Sequence, residues 1–184
     1  MCRFRLLFSV VFLGLLSVSC VEKDKPQKIA AVKDRAALPQ LHAVDVTTVI
    51  SDSGVTKYRI TTPVWDMYDR ASQPYWEFKK GLQLERFDKN LRVETNIHCK
   101  YAKYNENQQL WELRGKVKMS NIRGQLFETS LLYWNQRDAK FYSDSAITIT
   151  DATRIIKGVG FDSNQDMTNY HIRRIKGVFP VQND

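Results

Sequence analysis

From Leu91 to Tyr101 the chain alternates. Leu91, Val93, Thr95, Ile97, Cys99 and Tyr101 hold one phase, and Arg92, Glu94, Asn96, His98 and Lys100 hold the other. After a polar turn at Asn105-Glu106-Asn107, Trp111, Leu113, Gly115, Val117 and Met119 alternate with Glu112, Arg114, Lys116 and Lys118. Successive side chains of a strand point to opposite faces, so a period of two means extended strands with one apolar and one wetted face. A helix would spread those charges around its whole circumference. The chain must be built from sheet with one solvated side, and its function is expected on the other side.

The pattern extends in both directions. Val44, Val46, Thr48 and Ile50 alternate with Asp45 and Thr47, Asp52-Ser53-Gly54 supplies turn chemistry, and Thr56, Tyr58 and Ile60 continue beyond it. That is a β-hairpin. Leu82 and Leu84 open a further strand that ends near Phe87 and the Asp88-Lys89-Asn90 turn. Past the Asn121–Gly124 turn, Phe127, Thr129, Leu131 and Tyr133 read as one phase. Short strands follow at Phe141–Ser143, Ile147–Ile149, Ile155–Phe161 and about Asn169–Phe179. Trp65–Asp69 and Tyr75–Phe78 flank a Gln73-Pro74 break, are dense in aromatics and show no clear phase. They predict a strand and an excursion covering one mouth of the sheet. Regular strand spacing without a helical period predicts an all-β meander, sandwich, roll or barrel. Leu113-Arg114-Gly115, Ile156-Lys157-Gly158 and Ile175-Lys176-Gly177 share a device, because glycine inside a strand marks a bend or bulge.

The N-terminus reads as a targeting segment. Arg3 and Arg5 precede an apolar run from Leu6 to Leu16, followed by Ser17-Val18-Ser19-Cys20. The run is shorter than the roughly 18 residues a spanning helix needs. Small residues before a cysteine match a lipobox, with Ser17 where a bulky aliphatic is usual. Residues 1–19 are therefore expected to be a lipoprotein signal peptide, with Cys20 lipidated. Residues 20–43, with Pro26, Pro39 and many Lys, Asp and Ala, are expected to be a linker. Residues 44–184 are expected to be the folded domain. The 184 residues are 43% hydrophobic and 26% charged, enough for one domain with a real core. On this reading Cys2 leaves with the signal peptide and Cys99 remains as a lone packed thiol, so packing and not disulfides must hold the fold.

Catalytic chemistry is sparse. His42 lies in the linker range, His98 on the outward phase and His171 on the last strand, and no two have metal-ligand spacing. Neither a phosphate-binding glycine loop nor a nucleophile elbow is present. Asp66 and Asp69, near aromatics, are the one imaginable carboxylate pair for glycoside chemistry. The net charge is +8 and many of the Lys and Arg residues fall on outward strand phases, without a basic and aromatic platform for nucleic acid. Periodicity leaves open whether the apolar phase fills a closed core or lines an open slot.

The order of several short motifs carries more information. Tyr101-Ala102-Lys103-Tyr104 precedes Leu110-Trp111-Glu112-Leu113-Arg114-Gly115-Lys116-Val117. Then come Gly124, Thr129, Leu131-Leu132-Tyr133-Trp134, Tyr142-Ser143-Asp144 and Ile156-Lys157-Gly158-Val159-Gly160-Phe161. From about Val44 to Pro180 this succession resembles the lipopolysaccharide-export bridge family of the LptA–LptC fold, and within it the LptC type. The resemblance implies an all-β, twisted, open β-jelly-roll, V-shaped and OstA-like, with an apolar interior groove. It implies transport and not enzymatic catalysis, with no cofactor and no metal. Lipopolysaccharide would arrive from an inner-membrane ABC transporter and leave to a soluble LptA-like bridge protein, its acyl chains held in the groove. The groove would comprise Val93, Ile97, Trp111, Leu113, Val117, Met119, Phe127, Leu131, Tyr133, Ile147, Ile149, Val159 and Phe161. Docking edges would carry Val44, Val46 and Ile50 on the transporter side, and Ile172, Ile175 and Val178 on the bridge side. Many LptC proteins keep an N-terminal transmembrane helix; here a lipid anchor on the periplasmic face of the inner membrane is expected to take its place. Two competing readings remain: a structural or carbohydrate-binding envelope lipoprotein with a filled core, and a carbohydrate-active enzyme using Asp66 or Asp69.

Overall fold

The structure is a computed structural model that describes residues 37–181. Cys20, the signal segment and most of the linker lie outside the described residues. Eleven strands join one antiparallel sheet. β1 (Leu41–Asp52) and β2 (Val55–Tyr68) form the expected hairpin. Ser53 and Gly54 at its tip both have positive φ, 51° and 78°, as a two-residue hairpin turn of matching twist requires. β3 (Tyr75–Phe78), β4 (Leu82–Phe87), β5 (Val93–Cys99) and β6 (Tyr101–Asn105) are short. β7 (Leu110–Asn121), β8 (Leu126–Asn135), β9 (Lys140–Thr150), β10 (Arg154–Asn164) and β11 (Tyr170–Pro180) are long and pair in sequence order.

Topology and register show how one sheet becomes two walls. β7 pairs with β5 through residues 118–121 and with β6 through residues 110–114. β2 pairs with β4 through residues 58–61 and with β3 through residues 66–68. β4 pairs with β5, and β3 with β6. The halves of every long strand thus belong to different walls. The first wall holds β4, β5 and the halves of β2 and β7 beside them; the second holds β3 and β6.

The walls meet at a crease, and each strand crosses it with a local irregularity. Asp45 has φ 51°, Pro63 interrupts the β1–β2 ladder, and Gly81 between β3 and β4 has φ 80°. Lys100 separates β5 from β6, and Gly115 and Lys116 bulge β7 with φ 74° and 50°. The register shifts between Thr129 and Tyr133 on β8, and between Val159 and Phe161 on β10, where Gly160 has φ 78°. Bulges bend the strand that carries them and increase its twist. The crease leaves ladder groups unpaired, and short polar side chains take them. Thr129 Oγ1 donates to the Ala146 carbonyl (2.8 Å) and Ser143 Oγ to the Leu131 carbonyl (2.6 Å). Thr62 Oγ1 reaches the Gly81 carbonyl (2.8 Å), and the Lys100 N–H is shared between the carbonyls of Arg114 and Gly115.

This architecture is the expected all-β jelly-roll. Four local expectations are corrected. β2 runs unbroken through Tyr68, and β3 pairs with both β2 and β6, so Trp65–Phe78 is part of the second wall and not an excursion over a mouth. β1 starts at Leu41, which puts His42 in a strand. The alternation from Leu91 to Tyr101 is two strands: Leu91 lies in a turn at φ 62°, and Tyr101 belongs to β6 beyond the crease. Finally, Phe127 and Tyr133 do not share a phase. Phe127 is buried, but after the crease Leu132 and Trp134 turn inward and Leu131 and Tyr133 outward.

Candidate functional site

The space between the walls holds one hydrophobic core. Of the residues expected there, Ile97, Trp111, Leu113, Val117, Met119, Phe127, Ile147, Ile149 and Phe161 are all within it, each at most 2% exposed. Val93, at the start of β5, is 40% exposed. Leu131 and Tyr133 lie on the outer face of the second wall, where Tyr133 stacks on Tyr142 at 5.2 Å. Val159 is half-buried at the crease.

Sequence reasoning missed Tyr58, Leu84, Trp76, Phe78, Leu132, Trp134, Phe141 and Met167, which complete this interior. The adjacent Leu131-Leu132 and Tyr133-Trp134 pairs carried the signal, since each offers one apolar residue to either face. Ring contacts join residues on opposite sides of the crease, as walls that face each other require. Tyr58 meets Trp134 edge-on at 5.4 Å, and Phe127 meets Phe161 at 5.7 Å. A chain of indoles runs along the second wall: Trp65 to Trp76 at 5.0 Å, Trp76 to Trp111 at 6.5 Å, and Trp111 to Trp134 at 6.3 Å.

The interior is packed rather than hollow. Near the β1 end it opens through a cleft of about 140 Å³, well below the roughly 300–1,000 Å³ of ordinary ligand pockets. Ile50, Tyr58, Ile60 and Leu84 line it from the first wall, and Trp76, Tyr104, Trp111 and Gln136 from the second. Toward β11 the β10–β11 turn bridges the mouth. Asp166 pairs with Arg86 of β4 (2.6 Å), Asn121 donates to the Met167 carbonyl (3.0 Å), and the Met167 side chain is fully buried.

The terminal strands of the described sheet are β1, paired with β2, and β11, paired with β10. On β1, Val44 is 61% exposed while Val46 and Ile50 are half-buried. On β11, Ile172 packs inward, whereas Ile175 and Val178 are 62% and 56% exposed.

Asp66 is 3% exposed, and both its oxygens are taken, by His42 Nδ1 (2.5 Å) and Lys79 Nζ (3.0 Å). Burial pushes its carboxyl up, but the hydrogen bonds and charges of His42 and Lys79 more than offset this and hold it below the usual carboxylate range. Lys79 also donates to Tyr68 (3.0 Å). A carboxylate so engaged is not available to a substrate, and Asp69 lies exposed in the following turn. Cys99 is a free, buried thiol pushed up to about 11 by burial, a packing residue and not a nucleophile. Among the described residues, no group of His, Cys, Asp and Glu is arranged to hold a metal, and no helix is long and apolar enough to cross a membrane.

No curated protein matches the chain. Over residues 7–175 it matches the family described as lipopolysaccharide-assembly, LptC-related. That family is a non-catalytic component of lipopolysaccharide transport, associated with the periplasmic side of the inner membrane. Matched over most of its length and folded as the family's jelly-roll, the chain belongs to the LptC-related family of lipopolysaccharide-assembly proteins.

Proposed function

We propose that this protein takes lipopolysaccharide from an ABC transporter at its β1 edge and passes it to an LptA-like bridge protein at its β11 edge. The acyl chains would run between the walls while the charged sugars stay outside. The observation that carries the reading is the continuous apolar core between two walls that end in strands with exposed apolar residues. Open edges are aggregation hazards that proteins usually cover, and they fit partners that add a strand. A packed interior suits transit: chains entering it exchange one set of apolar contacts for another, at about 0.8 kcal/mol per buried methylene, so the lipid is not held in a deep trap. A lipidated Cys20 would hold the domain at the periplasmic face of the inner membrane, and such anchoring is stable once more than one acyl chain is attached.

The test is photo-crosslinking in cells, with probes at inward Leu132 and Val117 and at outward Leu131 and Lys118. Lipopolysaccharide adducts at the inward pair alone are expected. Equal capture on both faces would refute the slot. The tight packing of the interior favours the second reading, an envelope lipoprotein with a permanently filled core. That reading gains if neither pair captures lipid while the protein is folded and in place.

A further inference from the structure

All four tryptophans of the chain, Trp65, Trp76, Trp111 and Trp134, have a buried indole Nε1 with no hydrogen-bond partner. Buried polar groups are paired in roughly nine cases of ten, and a buried tryptophan N–H usually finds an acceptor. Each orphan destabilises the free fold. The four stand in one contiguous cluster.

Two of these indoles, Trp76 and Trp111, line the apolar cleft near the β1 end together with Tyr58 and Tyr104. A purely alkyl occupant would leave the indole donors as unsatisfied as they are now. An occupant with oxygen acceptors embedded in an apolar body would pair them. The lining contains no Lys, Arg, Asp or Glu. A phosphate would be desolvated there without a counter-charge, so the acceptors must be neutral.

We propose that this cleft is a subsite for the carbonyl oxygens of acyl esters or amides, with the indole N–H groups of Trp76 and Trp111 as donors. The proposal rests on the reading that the interior admits acyl chains, and it adds the end of the chain that is recognised. A sliding lipid would pause where its carbonyls reach the indoles, which fixes how deep its chains enter.

The test compares two soluble probes below their micelle concentrations: sucrose monolaurate, whose alkyl chain is joined through an ester, and dodecyl maltoside, which has the same chain length and no carbonyl. The native chain should bind the ester about fivefold more tightly per donor engaged. Trp76→Phe and Trp111→Phe keep an aromatic ring and remove the donor. They should abolish the preference, so that within each variant the ester and dodecyl maltoside bind equally. Nitrogen-15 spectra of the native chain provide a readout that needs no variant: indole N–H resonances should move downfield with the ester probe and not with the maltoside. Equal binding of both probes by the native chain, or equal losses in the Phe variants, would overturn the carbonyl subsite and leave the slot standing. If the native chain binds neither probe, the slot and the subsite fall together.

Discussion

Gly81 is where the crease is most exposed to a single-atom test. It joins β3 to β4 at φ 80°, in the left-handed region, and a Cβ built on it would lie 2.2 Å from the Cys99 carbonyl oxygen and 2.9 Å from Lys100 Cα. Both neighbours are backbone of the adjacent crossing strand, so neither can swing aside. Gly81→Ala incurs about 1–2 kcal/mol for the left-handed conformation. It incurs roughly another 1–3 kcal/mol for forcing the two crossings apart. The sum, about 2–5 kcal/mol, is a large part of the roughly 5–15 kcal/mol that stabilises a typical domain. Gly54 supplies the control. Its φ is 78°, but nothing lies within 4 Å of its Cβ position. Gly54→Ala should therefore show only the conformational part, about 1–2 kcal/mol. Urea unfolding of the native chain and both variants gives the two differences directly. Equal losses would mean that the strands do not approach at Gly81 as described, and the account of the crease would fail.

Three further outcomes follow from the same geometry. With its thiol pushed up to about 11, Cys99 should stay unlabelled by Ellman's reagent at pH 8 until urea unfolds the domain, as peptide mapping would show; rapid labelling in native buffer would contradict the closed interior. Because the Asp66 carboxyl is held low in the folded state, its contribution is present above the unfolded value of about 3.9 and disappears as pH falls through the lower folded value. The stability gap between the native chain and Asp66→Asn should therefore be flat near neutrality and close only below about pH 4; urea midpoints across pH check this, and a gap that closes between pH 7 and 5 would argue against it. Ile175→Lys and Val178→Lys, at exposed positions on β11, should leave stability within about 0.5 kcal/mol and weaken binding of an LptA-like bridge protein by an order of magnitude in a titration; unchanged affinity would move the docking edge elsewhere.

The inner face was legible wherever apolar residues alternate within one wall. Trp111 to Met119 alternate across a two-residue bulge at Gly115 and Lys116, which preserves their common face, so reading them as one phase succeeded. The crossing on β8, at Thr129, Ser130 and Leu131, has no glycine and no proline, and a lone serine there is a weak signal. The hydrogen bonds that stabilise it come from Thr129 and from Ser143 on the neighbouring strand, a long-range arrangement that periodicity along one strand does not carry. For the same reason Leu131 and Tyr133 were placed inside and Leu132 and Trp134 missed. Trp65 had no readable phase because β2 changes face at Thr62 and Pro63, and the next position is taken by Asp66, a buried carboxylate paired with the exposed side chains of His42 and Lys79. His42 was read as linker because its role depends on Asp66, 24 residues away.

The distribution of bonds decides which motion such a fold can make. Along the crease the walls are joined by continuous backbone, with ladder groups retained by Thr62, Thr129 and Ser143. At the mouth they are joined by side chains: Tyr58 against Trp134, Phe127 against Phe161, Arg86 to Asp166, and Asn121 to the turn carrying Met167. The crease cannot part without breaking several backbone hydrogen bonds, each worth about 0.5–1.5 kcal/mol, and the chain itself crosses it on every long strand. Parting the mouth breaks ring contacts worth about 0.5–1.5 kcal/mol each beyond their buried area, along with a partly exposed ion pair worth about 0–1 kcal/mol. The softest deformation is therefore a hinge about the crease that opens the mouth. On the proposed function, an acyl chain inserted there would restore the apolar contacts that opening removed. On that reading, packing in the free protein and passage of lipid would be two occupancies of the same surface, and a fully packed interior would not be closed to an acyl chain.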